Sequence, residues 1–357
     1  MAKNKKTTIQ DLANYANVSI GTIDRVIHKR GKVSEAKKKK VEEAIKELGF
    51  NPNLLARTLA LGQQFMVCSL LPEARSPDSY WTLPKKGIAQ AIEGHRDFGM
   101  QLEAFEYSLF DEASFVKMAE AILKRNPSGV ILAPLFEKES LTFIDKLEER
   151  DIPYVFIDAN IAHRKNLSYI GPHLKGSGFI AGKLLNSILG PSDDILIIHI
   201  VKGLENSAHT SIVEKGFKEF FKTKEGKGSG KISSITIPTT VESELNRELT
   251  KYYIKNPGIK GVFVSNSRAH LISRYHALHE LDMKVVGFDT VPGNISELKK
   301  GHIDYIISQR PIFQGVTAVK VLFDFFVYKK LPESVQFVPL DIIIKENVDY
   351  YINFQYQ

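Results

Sequence analysis

Apolar side chains recur at helical spacing through the first sixth of the chain. Ile9, Leu12, Ala13 and Ala16 follow an i, i+3, i+4, i+7 pattern that places them on one face of a short helix. Asn17-Val18-Ser19 breaks the pattern, and Ser19 suits the N-cap of a second helix carrying Ile23, Val26 and Ile27. Gly31 closes that stretch. A third helix is expected from near Ser34, with Val41, Ala44, Ile45 and Leu48 on its apolar face and Gly49 as its stop. Three short helices with a tight turn between the first two make a helix-turn-helix unit, whose second helix enters the major groove of DNA. Its exposed first-turn candidates are Ile20, Gly21, Thr22 and Arg25. Arg25 can take guanine bidentately or hold a phosphate, and the sequence leaves both open. Lys37 to Lys40 fit a solvated or phosphate-near helix face.

From Phe65 onward the pattern changes to apolar runs alternating with amphipathic stretches. Strands are expected at Met66–Leu71, Val130–Leu135, Tyr154–Asp158, Ile195–Val201, Gly261–Ser265, Val285–Asp289 and Tyr305–Ser308. Helices fit around 84–98, 112–125, 138–149, 175–189, 208–222, 242–256, 268–281 and 312–329. This alternation predicts an α/β body of doubly wound parallel sheets with helices on both faces. There is too much of it for one sheet, so two lobes are expected, with a ligand cleft at the carboxyl ends of the strands.

Composition sharpens this division. The chain has 357 residues, 43% hydrophobic and 25% charged, which excludes a disordered or fibrous protein and exceeds what one core organises. The formal charge is +7, yet residues 1–60 hold 13 basic and 6 acidic residues while the remainder holds 35 of each. A basic head on a neutral body is the electrostatic footprint of a polyanion binder. The single cysteine, Cys68, excludes a disulfide framework and fits a reducing compartment. The Lys-rich start has no secretory core, and no apolar run is seen to approach the ~18 residues of a membrane span. A cytoplasmic protein without a membrane partner is expected.

The run from Thr8 to Val26, Thr-Ile-Gln-Asp-Leu-Ala-Asn-Tyr-Ala-Asn-Val-Ser-Ile-Gly-Thr-Ile-Asp-Arg-Val, strongly resembles the headpiece of the lac repressor (LacI/GalR) family. That family reads T-x-x-D-[VL]-A-x-x-A-x-V-S-x-x-T-[VI]-x-R-[VI], and every fixed position is met; Asp24 stands where many members carry Ser. The resemblance implies a DNA-facing set of Thr8, Ser19, Ile20, Gly21, Thr22, Arg25 and His28. The segment Gly49 to Gly62 resembles the family's hinge helix, with Asn53 as its cap, Ala56 and Ala60 near one face, and Leu59 at the position of the leucine that wedges a minor-groove base step. A plain linker whose leucines pack on the body is the alternative. A helix this short is marginal alone and is expected to order on DNA, in a dimer. The implied division is residues 1–50 for the headpiece, 51–63 for the hinge and 64–357 for the body.

The body resembles the family's periplasmic-binding-protein-like domain through Val264-Ser-Asn266, Val286-Gly-Phe-Asp289 and the stretch from Ile307 through Gln309, Arg310 and Pro311 to Gly315. The resemblance implies Asn266, Asp289 and Gln309 as ligand residues that hydrogen-bond sugar hydroxyls. Asp158, at a strand end, joins them, and Tyr80 and Trp81 are candidates to stack on a sugar face, although Trp81 could equally cover a lobe edge. Sugar-binding relatives often carry Arg after the strand-end Asp and before the Gly-Phe pair; Ala159 and Val213 stand there instead. Asn206, His209 or Ser211 are the candidate substitutes.

Other signals are weaker. Gly226-Lys-Gly-Ser-Gly-Lys231 lacks the Ser or Thr of a phosphate loop and precedes a strand. Gly176, Gly178 and Gly182 fit helix packing better than a dinucleotide fingerprint. His276, His279 and Glu280 share a helical turn and read as a solvated face rather than a metal site. No nucleophile–base pairing stands out, and no cofactor is implied. The expected protein is a homodimeric, ligand-responsive repressor of a palindromic double-stranded operator with a sugar-like effector. The rivals are a solute-binding protein without a transcriptional role and an enzyme on the same body.

Overall fold

The computed structural model describes residues 9–27, 31, 33–48, 62–200, 207–226 and 230–355. It divides into two compact units, one up to Leu61 and one from Gly62 onward. In the first, the apolar stripes fold as α1 (Ile9–Ala16), α2 (Ile20–Ile27) and α3 (Glu35–Glu47). Leu12, Ala13, Ala16, Ile23, Val41 and Ala44 form their shared core. The turn between α1 and α2 is tight because Asn17 adopts a left-handed backbone, φ 50°, which Asn tolerates better than most residues. The Ser19 hydroxyl then accepts the Thr22 N–H at 3.2 Å, the expected cap. One expectation needs correction: Ile9, the first residue of α1, is 40% exposed rather than in the core. The third helix begins where expected, with Ser34 at its N-cap position though without a side-chain cap bond, and ends at Glu47 with Leu48 as its C-cap; Gly49 lies outside the described residues.

The second unit is built from two six-stranded sheets. Lobe one orders its strands β11-β5-β4-β3-β1-β2, all parallel, from β1 (Phe65–Pro72), β2 (Met100–Tyr107), β3 (Gly129–Leu132), β4 (Tyr154–Ile157), β5 (Ser168–Gly171) and β11 (Val335–Phe337). Lobe two orders β12-β10-β9-β8-β6-β7, from β6 (Asp194–Ile200), β7 (Ile232–Ile237), β8 (Ile259–Val264), β9 (Lys284–Phe288), β10 (Tyr305–Ser308) and β12 (Asp341–Ile343). Only β12 is antiparallel to its neighbour. The two orders are the same circuit run twice, so β4 and β9 occupy equivalent places. The chain passes between lobes three times, after β5, after β10 and after β11.

Helices α4 (Thr82–Gly94), α5 (Glu112–Arg125), α6 (Glu137–Glu149) and α12 (Pro311–Tyr328) cover lobe one. Helices α7 (Leu174–Asn186), α8 (Ser207–Phe220), α9 (Glu242–Lys255), α10 (Ala269–Leu278), α11 (Pro292–Lys300) and α13 (Val348–Gln355) belong with lobe two. Gly178 and Gly216 let α7 and α8 touch backbone to backbone. A Cβ on Gly178 would lie 1.9 Å from the Val213 carbonyl oxygen, and one on Gly216 1.9 Å from that of Lys175. This supports helix packing as the reading of the Gly176–Gly182 stretch.

Two further findings correct the sequence reading, and a third adds the setting of the cysteine. The 18-residue α12 has a mean hydropathy of 1.3 and is long and apolar enough to cross a membrane by length and composition alone, whereas no such run was expected. It packs against α4 and strands β3 to β5, and 61% of it is buried in the body, the behaviour of a core helix. His276 is not on a solvated face: it is buried, shares a 2.7 Å hydrogen bond with the Tyr253 hydroxyl, and burial pushes its pKa down to about 3. Cys68 is buried in β1, and burial pushes its thiol up to about 12, far from a reactive thiolate.

Candidate functional site

Each unit carries its own candidate surface. On α2, Ile23 faces the core, which turns Ile20 (49% exposed), Gly21 and Arg25 outward, with Thr22 half-buried. Ser19 and Thr22 are joined through their hydroxyls at 3.0 Å, so the start of the helix is fixed. An exposed arginine on the second helix of such a unit is placed to meet DNA edges or phosphates. Along α3, Lys37 to Lys40 are all exposed.

In the body, a cavity of about 460 Å³ opens between the lobes at the carboxyl ends of the strands. The loop after β1 brings Asp78, Tyr80 and Trp81 to it; α8 brings His209, Thr210 and Val213; the ends of β8, β9 and β10 bring Ser265 with Asn266, Asp289 and Gln309. Asp158 and Asp289 each follow the last residue of their strand, at the equivalent points of β4 and β9. Each leaves the strand through a left-handed backbone, φ 64° and 65°, and each donates its N–H to the next strand, to Ile170 O at 3.1 Å and Ile307 O at 3.0 Å. Strain of this kind collects at functional sites.

Both carboxyls are almost fully buried, 8% and 2% exposed. Tyr80 donates its hydroxyl to Asp158 Oδ1 at 2.8 Å, and Gln314 Oε1 accepts the Asp158 N–H at 3.1 Å. Gln309 supplies longer bonds to Asp289, from its backbone N–H at 3.4 Å and its side-chain Nε2 at 3.2 Å. Burial, and then the nearby Asp158 charge, pushes Asp289 up to about 8. Asp158 is also raised by burial, against smaller lowering contributions from His209 and the Tyr80 hydroxyl. Two buried carboxyls that oppose each other's ionisation form one coupled pair, and at neutral pH the pair retains a proton.

Asp78 spans the cleft. Its Oδ1 accepts the Gly293 N–H at 2.7 Å, at the first turn of α11 in the other lobe, where a helix favours a carboxylate. Leu83 of α4, Ile312 of α12 and Val291 of lobe two form a small apolar cluster that also joins the lobes.

Residues 8–53 match the family model for bacterial regulatory proteins of the lacI family, and residues 69–330 match that of the periplasmic binding protein domain. The chain belongs to the lacI family. It is 24% identical over 351 residues to the ribose operon repressor of Halalkalibacterium halodurans, covering 95% of this chain and 96% of that one. To the transcriptional regulator MalR of Streptococcus pneumoniae it is 26% identical over 304 residues, 80% and 84% of the two chains. Among solved structures it is similar to a Bacteroides fragilis protein assigned as a LacI transcriptional regulator, with a TM-score of 0.73 and 27% identity over 81% of this chain and 100% of that one.

In this lacI-family chain the structure brings Tyr80, Trp81, Asp158, Asn266, Asp289 and Gln309 to one cavity. Trp81 is buried and meets Tyr80 edge to face, with ring centroids 5.1 Å apart. Tyr80 holds Asp158 through its hydroxyl. The Asn266 amide is engaged internally, donating to Ile200 O at 2.8 Å and accepting from the Arg268 N–H at 3.2 Å. Ser211 is a correction: it is exposed and does not line the cavity, because the stripe of α8 that does so runs through His209, Thr210 and Val213, and Ser211 falls beside that stripe. Thr8, His28, Asn53, Ala56, Leu59 and Asn206 lie outside the described residues.

Sequence reasoning missed Gln314, which is fully buried and joins Asp158, Tyr80 and Gln309 O. A polar side chain in the first turn of the largely apolar run 311–328, three residues after Pro311, was the available signal. It also missed a hydrogen-bonded series beneath the cleft: Ser265 Oγ to His199 Nδ1 at 2.6 Å, and His199 Nε2 to Glu214 Oε2 at 2.7 Å. These residues are far apart in sequence, so no local spacing marks them as a nucleophile–base pair.

Proposed function

We propose that this lacI-family chain is a DNA-binding repressor whose operator affinity is set by a small sugar-like ligand held between the two lobes of its body. The observation that carries the reading is the joining, in one chain, of a three-helix unit exposing Arg25 to a two-lobed body with a buried polar cleft. Two chains act as a dimer on a palindrome, which supplies affinity that one headpiece lacks. Residues 51–63 connect the units as the hinge, with Leu59 as the minor-groove wedge and Asn53 and Ala56 beside it. Asp158, Asp289, Gln309 and Asn266 bind the ligand, with Tyr80 fixing the Asp158 carboxyl and Gln314 holding Tyr80 and the Asp158 backbone. A ligand that prefers one arrangement of the lobes changes DNA affinity by that preference and no more. The site of action is the cytoplasm.

A hydrolytic reading has one observation in its favour, the Ser265–His199–Glu214 series. Against it, Glu214 is also held by Lys218, and the Ser265 N–H, the natural oxyanion donor, is bonded to Ile198 O at 3.1 Å. The regulatory reading is tested by a thermal-shift screen of sugars, followed by titration of a bound duplex with each hit. A compound that raises the melting temperature through the cleft changes duplex affinity; one that stabilises the body fully and leaves duplex affinity untouched refutes the coupling.

A further inference from the structure

We propose that the cleft is built for an effector carrying an ammonium group, an amino sugar or amino polyol, seated between Asp158 and Asp289. The proposal rests on the cleft being the effector site and adds the charge of what fills it. Both carboxyls are more than nine-tenths buried and border the cavity from opposite lobes. Their protein donors are neutral: the Tyr80 hydroxyl on one, the Gln309 amide and backbone N–H on the other. Among the described residues no Lys or Arg forms an ion pair with either. The arginines of the same cavity wall have other partners, Arg75 on Glu73 at 2.7 Å and Arg274 on Glu297 at 3.4 Å, while Arg268 donates to Ile200 O at 2.6 Å. Ala159 follows Asp158 and is buried, and Val213 borders the cavity, so neither side chain brings charge.

A ligand ammonium would supply the missing partner and form charge-assisted bonds to both carboxylates, stronger than those from a neutral hydroxyl. A carboxylate or phosphate ligand seated there would meet two buried acids that no Lys or Arg of the described residues pairs with, an arrangement that disfavours it. The groups facing the pair are Tyr80, Tyr107, Tyr169 and His209. Burial first, and the acid charges second, hold the three phenols above their ordinary range, so they remain neutral near pH 7. The pair therefore carries a proton when no cation is bound, and an entering ammonium displaces it.

The test uses the full chain at pH 7 and matched sets in the gluco, galacto and manno series: hexosamine, N-acetylhexosamine, parent hexose and hexuronate. Calorimetry in buffers of different ionisation heat counts the protons released. The expected result is at least one hexosamine that binds roughly tenfold tighter than its N-acetyl and parent counterparts, with proton release, and a preference that collapses in both Asp158→Asn and Asp289→Asn. A neutral or acidic member that binds more tightly than its amine overturns the proposal, as does a set in which no hexosamine binds. A neutral sugar that binds at least as tightly as its amine and is lost in Asp289→Asn overturns the ammonium while keeping the cleft. Binding that survives both substitutions removes the cleft as well.

Discussion

Replacing Asp289 with asparagine should stabilise the protein, by an amount that depends on pH in a fixed direction. The Asp289 carboxyl is raised from 3.8 to about 8 in the fold, chiefly by burial. Below about pH 4 it is protonated in both folded and unfolded chains and its burial costs little. Between pH 4 and 8 the native state keeps a proton that the unfolded state has released, so stability falls as pH rises, by about 1.4 kcal/mol per pH unit for one full proton. Above pH 8 both states are ionised and the loss levels off. The full interval corresponds to about 6 kcal/mol, and sharing the proton with Asp158 reduces this to roughly half. The substituted amide keeps an oxygen for the Gln309 donors but has no charge to bury. At roughly 2 °C per kcal/mol for a body of this size, Asp289→Asn should melt about 6 °C above the parent at pH 8 and within a degree or so of it at pH 4. Calorimetric melts at half-unit pH steps measure this. A variant that is no more stable than the parent at pH 8, or differs from it equally at every pH, refutes the argument.

Other expectations follow from the packing and the bridges. Gly216→Ala forces a methyl onto the Lys175 carbonyl and should cost about 1–3 kcal/mol by separating α7 from α8, visible as a lowered urea midpoint; an unchanged midpoint would mean the helices part without cost. Asp78→Ala removes the acceptor of the Gly293 N–H across the cleft. It should reduce body stability by about 1–2 kcal/mol and widen the molecule in solution scattering, and a profile identical to the parent's would deny Asp78 a role in holding the lobes together. Leu59→Ala should reduce the bend of bound DNA measured by energy transfer across the site, and an unaltered bend would favour a plain linker.

The helical stripes of the first unit were legible because their period decides them, and residues 112–125 and Tyr305–Ser308 are found with the bounds that the pattern predicts. Strands β2, β5, β11 and β12 and helices α11 and α13 were not. β2 is an edge strand whose Glu103 and Glu106 interrupt its apolar run, β11 and β12 have three residues each, and α11 opens on Pro-Gly. Predicted strands ran one residue too far at Asp158 and Asp289 because hydrophobic patterning does not register a backbone that turns left-handed. Those same two residues were legible as site candidates, since a carboxyl after an apolar strand stands out. What sequence could not show is their opposition across the cleft, which depends on the two sheets repeating one strand order. Nor could it place Gln314 or the Ser265–His199–Glu214 series, since these contacts join elements distant in the chain. Ser211 was chosen by polarity alone, and one helical step separates it from the wall of the cavity.

The central claim is that one chain joins a sequence-reading headpiece to a ligand cleft. Its most direct test is fluorescence-anisotropy titration of a duplex selected from a randomised palindromic pool, over a range of salt, with the parent chain, Arg25→Ala and Asp289→Asn. The expected result is parent affinity that falls steeply and linearly in log salt, a loss of roughly tenfold or more in Arg25→Ala, and unchanged ligand-free affinity in Asp289→Asn. Affinity indifferent to salt, or an Arg25→Ala chain that binds the selected duplex as tightly as the parent, would contradict it.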